Sequence, residues 1–246
     1  MWLDPWFSSP ALQDLIATIL TFGVALGWLR LMDTLAHRGV LDARLSRKII
    51  HIGTGPLFVL CWNLFSAAPS ARLWAALVPL AITLQFVAVG LGWMKDEPAV
   101  QAMTRHGDPH EILRGPVFYG LVFVGCTIVF WRSSPVGVIA LMVMCGGDGL
   151  ADIVGRRWGS SRLPFNPEKS WLGSAAMMFG GLALAASMVW LFDAWDLFEP
   201  SLQWPPAAWK IGVVALVATL VESLPLRDVD NLTTTGAAIL VARYLF

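Results

Sequence analysis

The chain has 246 residues, of which 57% are hydrophobic and only 14% charged, and its mean hydropathy is +0.65. Soluble domains carry about a quarter charged residues, so this is the composition of an integral membrane protein. Lys plus Arg and Asp plus Glu both number 17. Without a basic field, nucleic-acid binding is excluded as the primary role.

A bilayer span needs about 20 mostly apolar residues. In chain order, segments 11–32, 49–68, 72–94, 115–131, 133–151, 171–192, 207–224 and 231–246 meet that need. They predict an all-α, polytopic membrane helix bundle of eight spans, or seven if one of the last two fails. Those two are the weaker ones, because one carries Lys210 and the other Arg243. A lysine near a helix end can reach the interface along its own stem, so Lys210 does not veto its span. The opening MWLDPWFSSP has no basic stretch, so neither a signal peptide nor a transit peptide is expected. That suits a bacterial inner membrane or a cyanobacterial or plastid-type membrane.

Basic residues concentrate in alternate loops: Arg38, Arg44, Arg47 and Lys48, then Lys95, Arg105 and Arg114, then Arg156, Arg157, Arg162 and Lys169, and finally Arg227. The opposite loops hold Arg72 and Arg132, and 193–206 is acidic and rich in Trp and Pro. The positive-inside rule puts the basic loops on the cytoplasmic side. No loop is long enough to form a soluble domain, so residues 1–246 read as one membrane-embedded domain. Cys61, Cys126 and Cys145 all lie in apolar runs and read as buried small hydrophobes. The 13 tryptophans mostly flank the spans, as interface anchors do.

Charges near a span are costly, about 2.5–3.5 kcal/mol at the bilayer centre, so acidic residues at span ends need a reason. In Gly146-Gly147-Asp148-Gly149-Leu150-Ala151-Asp152-Ile153-Val154-Gly155, a helix would put Asp148, Asp152, Gly155 and Gly159 along one face. Two carboxylates one turn apart repel unless a cation lies between them. Such hard oxygen ligands suit Mg²⁺, which takes its remaining ligands from water and substrate phosphates. The glycines admit close approach of a ligand or of another helix.

The chain continues Leu163-Pro164-Phe165-Asn166-Pro167-Glu168-Lys169-Ser170. Asn166, Pro167 and Glu168 read as the cap and first positions of the next helix. A helix N-terminus beside Lys169 and Ser170 is a seat for phosphate, and Arg156, Arg157 and Arg162 add positive charge. A third stretch runs Glu222-Ser223-Leu224-Pro225-Leu226-Arg227-Asp228-Val229-Asp230-Asn231. Its carboxylates on the same side suggest a second metal site or a general base, with a capped, solvated turn as the plainer reading. His51 follows Arg47-Lys48 at a span start, as an interfacial histidine or a substrate contact. His106, Asp108, His110 and Glu111 fit no metal spacing and read as a polar loop.

These motifs together, with Arg47-Lys48-Ile49-Ile50-His51-Ile52-Gly53, resemble the phytol kinase family, in order and over about residues 47 to 235. The family is related to dolichol kinases and, more distantly, to phosphatidate cytidylyltransferases. The segment Leu232-Thr233-Thr234-Thr235-Gly236 departs from the pattern, which places Val-Pro after the first Thr. The resemblance implies a membrane kinase that phosphorylates a prenyl alcohol, phytol first, with a nucleoside triphosphate, typically CTP, as donor. It also implies a salvage role leading toward tocopherol. In that scheme Asp148, Asp152 and Glu222 hold Mg²⁺. Lys169, Ser170, Arg156, Arg157, Asn166 and Gly155 hold the nucleotide phosphates. Asp228 or Asp230 takes the alcohol proton, aided by Lys169, and His51 and Asn231 meet the lipid substrate among membrane lipids. No GxxxxGK[ST] loop is present, so the acidic face and Lys169 would replace it. A cytidylyltransferase, or a kinase for dolichol or diacylglycerol, is the alternative within this layout. A secondary transporter would need midplane charges and an inverted repeat, and neither is found.

Overall fold

The computed structural model describes residues 2–104, 106–225 and 229–246. Its elements are almost all helical, and they group into two units, Met1–Val129 and Phe130–Phe246. Among the described residues, five helical stretches are long and apolar enough to cross a membrane: Pro10–His37, Ala71–Gly90, Pro109–Val129, Pro135–Trp158 and Trp171–Ala194. The fold is the all-α membrane helix bundle expected from composition.

In the first unit, α1 (Pro10–His37) begins with proline at its first position, where a missing N–H costs nothing. Its buried Asp14 accepts hydrogen bonds from the Ser66 N–H at 2.7 Å and the Ser66 hydroxyl at 3.1 Å. That pairing is what lets a carboxylate stay buried. Helix α2 (Ala43–Cys61) starts six residues before the expected span, because Asp42 accepts from the Leu45 N–H and caps it there. Its first turns therefore hold Arg44, Arg47 and Lys48, and Arg47 donates to the Thr104 carbonyl at 2.9 Å. Helices α3 (Ala71–Gly90) and α5 (Gly115–Val129) pack closely where Gly120 meets Thr83. Between them lies α4 (Glu97–Met103), capped by Asp96. The following loop pairs His106 with Glu111 and His110 with Asp108 at the surface.

The second unit opens with α6 (Pro135–Met142), buried along its whole length. The helix widens into a π turn over Val143–Asp148 and resumes as α7 (Gly149–Trp158). Single π turns inside helices are frequent at functional sites. A two-stranded hairpin follows, β1 (Arg162–Leu163) with β2 (Asn166–Ser170), pairing Leu163 with Asn166 and Arg162 with Ser170. Then come α8 (Trp171–Ala194), α9 (Pro206–Glu222) and α10 (Asp230–Leu245).

Every one of the eight apolar segments is thus helical. The last two are short, with 17 and 16 residues, at the lower edge of what crosses a bilayer. The hairpin corrects one sequence expectation. Asn166 does not cap a helix; it opens a strand, and the helix begins five residues later with Ser170 as its cap. Cys61, Cys126 and Cys145 are all buried, as expected.

Candidate active site

The site is built at one end of the second unit, where four elements meet. The first contribution comes from close helix packing. A side chain at Gly146 would press on the Gly180 carbonyl at 2.9 Å, and one at Gly155 would lie 3.2 Å from the Gly173 α-carbon. Only glycine lets the π turn and α7 lie this near α8. Gly155 and Gly159 therefore face α8 and Ser170, and the close approach is that of another backbone. This tight crossing fixes where Asp148, at the end of the π turn, and Asp152, in the first turn of α7, emerge.

Asp152 takes an ion pair from Arg156, Nε to Oδ1 at 2.6 Å, one helical turn on. Arg157 lies exposed beside it, and Arg162 donates to the Glu168 carbonyl across the hairpin.

The hairpin supplies the second contribution. Asn166 is buried, with 4% of its surface exposed. Its amide N–H donates to the Ser223 carbonyl at 2.9 Å, and its amide oxygen accepts from the Glu168 N–H. Ser170 is buried too, and its hydroxyl accepts from the Gly173 N–H at 3.1 Å. Between these two anchors lies Lys169.

The Lys169 ammonium donates to the Glu222 carboxylate, which is 3% exposed at the end of α9. Burial by itself would lower the Lys169 pKa. Glu222, with smaller contributions from Asp148 and Asp230, reverses this and holds it above the ordinary lysine value. Three carboxylates from three elements thus act on one ammonium, which therefore stays charged.

At the start of α10 the Asp230 carboxylate accepts from the Asn231 N–H at 3.0 Å. One turn further, the Thr234 hydroxyl is buried with no hydrogen-bond partner among the described residues, and the same holds for the Ser174 hydroxyl in α8. Asp228 lies outside the described residues. His51 belongs to the first unit. There its ring lies against Tyr119, centroids 4.5 Å apart, and its carbonyl accepts from the Tyr119 hydroxyl at 2.9 Å.

The second unit therefore brings together Asp148, Lys169, Glu222 and Asp230, and keeps Asp152 beside them on α7, paired with Arg156. The Lys169–Glu222 pair was not foreseen, since sequence reading gave the two residues to different ligands. The buried hydroxyls of Ser174 and Thr234 were also missed; a Ser and a Thr in apolar helices carry no distinguishing signal. Among the described residues, no three His, Cys, Asp or Glu side chains converge closely enough to hold a metal ion unaided. Carboxylates spread around one ammonium still offer the hard oxygen donors that Mg²⁺ takes when phosphates and water complete its shell.

No family model matches the chain, and no solved structure matches it. Curated relatives do. A protein of Oryza sativa subsp. japonica named probable phytol kinase 1, chloroplastic, is 44% identical over 238 residues, covering 96% of this chain and 75% of that protein. The probable phytol kinase, chloroplastic, of Triticum aestivum is 44% identical over 241 residues, covering 97% and 80%. Phytol kinase 1, chloroplastic, of Arabidopsis thaliana is 39% identical over 237 residues, covering 96% and 77%. At 39–44% identity over nearly the whole chain, the chain belongs to the phytol kinase family.

Proposed function

We propose that this chain is a membrane lipid-alcohol kinase that transfers the γ-phosphoryl group of CTP to the hydroxyl of phytol or a similar prenyl alcohol. The observation that carries this reading is the meeting of Lys169, Glu222, Asp148 and Asp230 at one end of the second unit. A cation held among carboxylates can neutralise a triphosphate while the carboxylates serve metal binding and proton removal.

Phosphoryl transfer needs positioning and charge neutralisation far more than covalent help from the protein. Lys169, oriented by Glu222, would lie against the β- and γ-phosphates, with Arg157 and Arg156 adding charge from the end of α7. The Ser170 end of the hairpin opens α8, whose first N–H groups favour negative charge. Asp148, Asp152 and Glu222 are the residues that would hold Mg²⁺. When bound, that ion supplies charge neutralisation on the phosphate oxygens. Asp230, or its neighbour in sequence Asp228, would accept the alcohol proton as the alcohol oxygen bonds to the γ-phosphorus and the bond to the β-phosphate bridge breaks. The products are the lipid monophosphate and the nucleoside diphosphate. Asn231 would meet the lipid, and the prenyl tail would lie among the apolar helices of the second unit.

The names of the relatives support phytol as acceptor and a chloroplast-type setting, and the positive-inside bias argues for motif loops on the cytoplasmic or stromal side. The product would feed salvage of the prenyl chain toward tocopherol. The test supplies the purified chain in lipid with Mg²⁺, phytol and γ-labelled CTP. Label in a lipid monophosphate, lost in Asp148→Asn, is expected. Cytidine passing instead from α-labelled CTP to phosphatidate would overturn the kinase reading.

A further inference from the structure

We propose that Asn166 is a positioning residue: by tying β2 to the end of α9 it sets where the Lys169 ammonium meets the phosphate. This rests on the role given to Lys169 above, and it assigns Asn166 to protein backbone, not to nucleotide.

The geometry is that of a two-point clamp. Ser223 is the residue that ends α9, and a helix end leaves carbonyls with no partner of their own. The Asn166 amide satisfies the Ser223 carbonyl, while its oxygen turns back to the Glu168 N–H. Three residues along β2, Lys169 reaches Glu222, the residue just before Ser223. One tie is neutral and buried; the other is charged. The strand is pinned again at Ser170, whose hydroxyl caps α8 and which lies so near Gly155 and Gly159 that a side chain at either would press on it. Pro167 stiffens the backbone between them. Lys169 thus lies on a segment fixed at both ends, and Asn166 is the anchor on the α9 side.

Asparagine is the residue this place requires, because it offers a donor and an acceptor at the same reach. Aspartate would lose the donor and set a carboxylate against the Ser223 carbonyl. Alanine would remove both bonds and leave that carbonyl bare.

The experiment is a double-mutant cycle on the full chain reconstituted with phytol, CTP and Mg²⁺, using Asn166→Ala, Lys169→Ala and the pair. A misplacement of about 1 Å can cost on the order of 10²-fold in rate. Asn166→Ala is therefore expected to lower kcat by about 10- to 100-fold, with nucleotide KM changed by less than about threefold. Added to Lys169→Ala, it is expected to cost nothing further. Multiplying losses, or a rise in nucleotide KM at unchanged kcat, would overturn the proposal. If Asn166→Ala fails to fold, Asn166→Ser, which keeps a shorter donor, carries the same cycle.

A second readout separates this inference from the function it rests on. The rate at which Lys169 is acylated by acetic anhydride, followed by peptide mass, is expected to rise in the Asn166 variant whatever reaction the protein catalyses. An unchanged rate would overturn the positioning role. An unchanged kcat in Lys169→Ala alone would instead sink the catalytic reading of Lys169, leaving the acylation rate to judge Asn166.

Discussion

Lys169 and Glu222 stand 53 residues apart in the chain and share one hydrogen bond in the fold. Breaking a buried ion pair from one side leaves a charge without its partner, which costs about 3–5 kcal/mol. Lys169 keeps 30% of its side chain exposed, so Glu222→Gln should fall at the lower end, about 3 kcal/mol. The check is the unfolding temperature in detergent, which should drop by several degrees. Losing no more than an exposed pair would, about 0–1 kcal/mol, would mean the pair is ornamental.

The same pair fixes a pH dependence. Glu222, Asp148 and Asp230 hold the Lys169 pKa above its ordinary value. A raised pKa means stability that is complete below the unfolded-state value, about 10.4, and is lost as pH rises through the folded one. Between pH 6 and 9 the activity profile should therefore show no titration from Lys169. In Glu222→Gln the ammonium loses its chief support while burial remains, so an alkaline limb should move to lower pH. The lysine and the glutamate were both legible as functional residues, because charges at span ends demand a reason. Their pairing was not, since nothing local in either stretch names a partner so far along the chain.

At the scale of elements, the crossing of α8 with the π turn and α7 sets the site, and glycines set the crossing. A methyl at Gly146 would meet the Gly180 carbonyl and Leu184 at 2.9 Å, whereas one at Gly212 on α9 meets nothing within 4 Å. Gly146→Ala should destabilise by about 1–3 kcal/mol through overpacking, and Gly212→Ala should stabilise by up to about 1 kcal/mol through helix propensity. Thermal unfolding of the two variants side by side is the check; shifts of the same sign would contradict this account of the crossing.

Sequence reading placed a helix in each of its eight apolar segments, because a long apolar run has few other fates, and five of the helical stretches are long and apolar enough to cross a membrane. It misread Asn166-Pro167-Glu168, which locally is a good helix start. The competing principle was tertiary: the Asn166 amide is drawn to the Ser223 carbonyl, and Ser170 takes over the cap. The π turn was missed for a related reason, since Gly146 and Gly147 read as helix contacts whichever way the turn is wound.

For the whole molecule, hydropathy and the positive-inside bias make a prediction that the second unit can test by itself. Helix α8 has 24 residues, about 36 Å at 1.5 Å per residue, enough to separate the hairpin from the acidic 193–206 loop by a bilayer. The native cysteines are buried, so single reporters are clean. Ser161→Cys and Ser201→Cys, both at exposed positions, should react with an impermeant maleimide from opposite faces of oriented vesicles. Labelling of both from one face would contradict the span.

The central claim is that the charged end of the second unit performs phosphoryl transfer, with Lys169 on the phosphates. The measurement that tests it most directly is the single-turnover rate of γ-phosphoryl transfer from CTP to phytol in lipid, wild type against Lys169→Ala at saturating nucleotide. Loss of one aimed donor to a developing charge costs about 10²- to 10³-fold, and a fall of that size is the predicted result. A Lys169→Ala rate within about twofold of wild type, with the protein folded, would contradict the account, since no such aimed interaction would then have been lost.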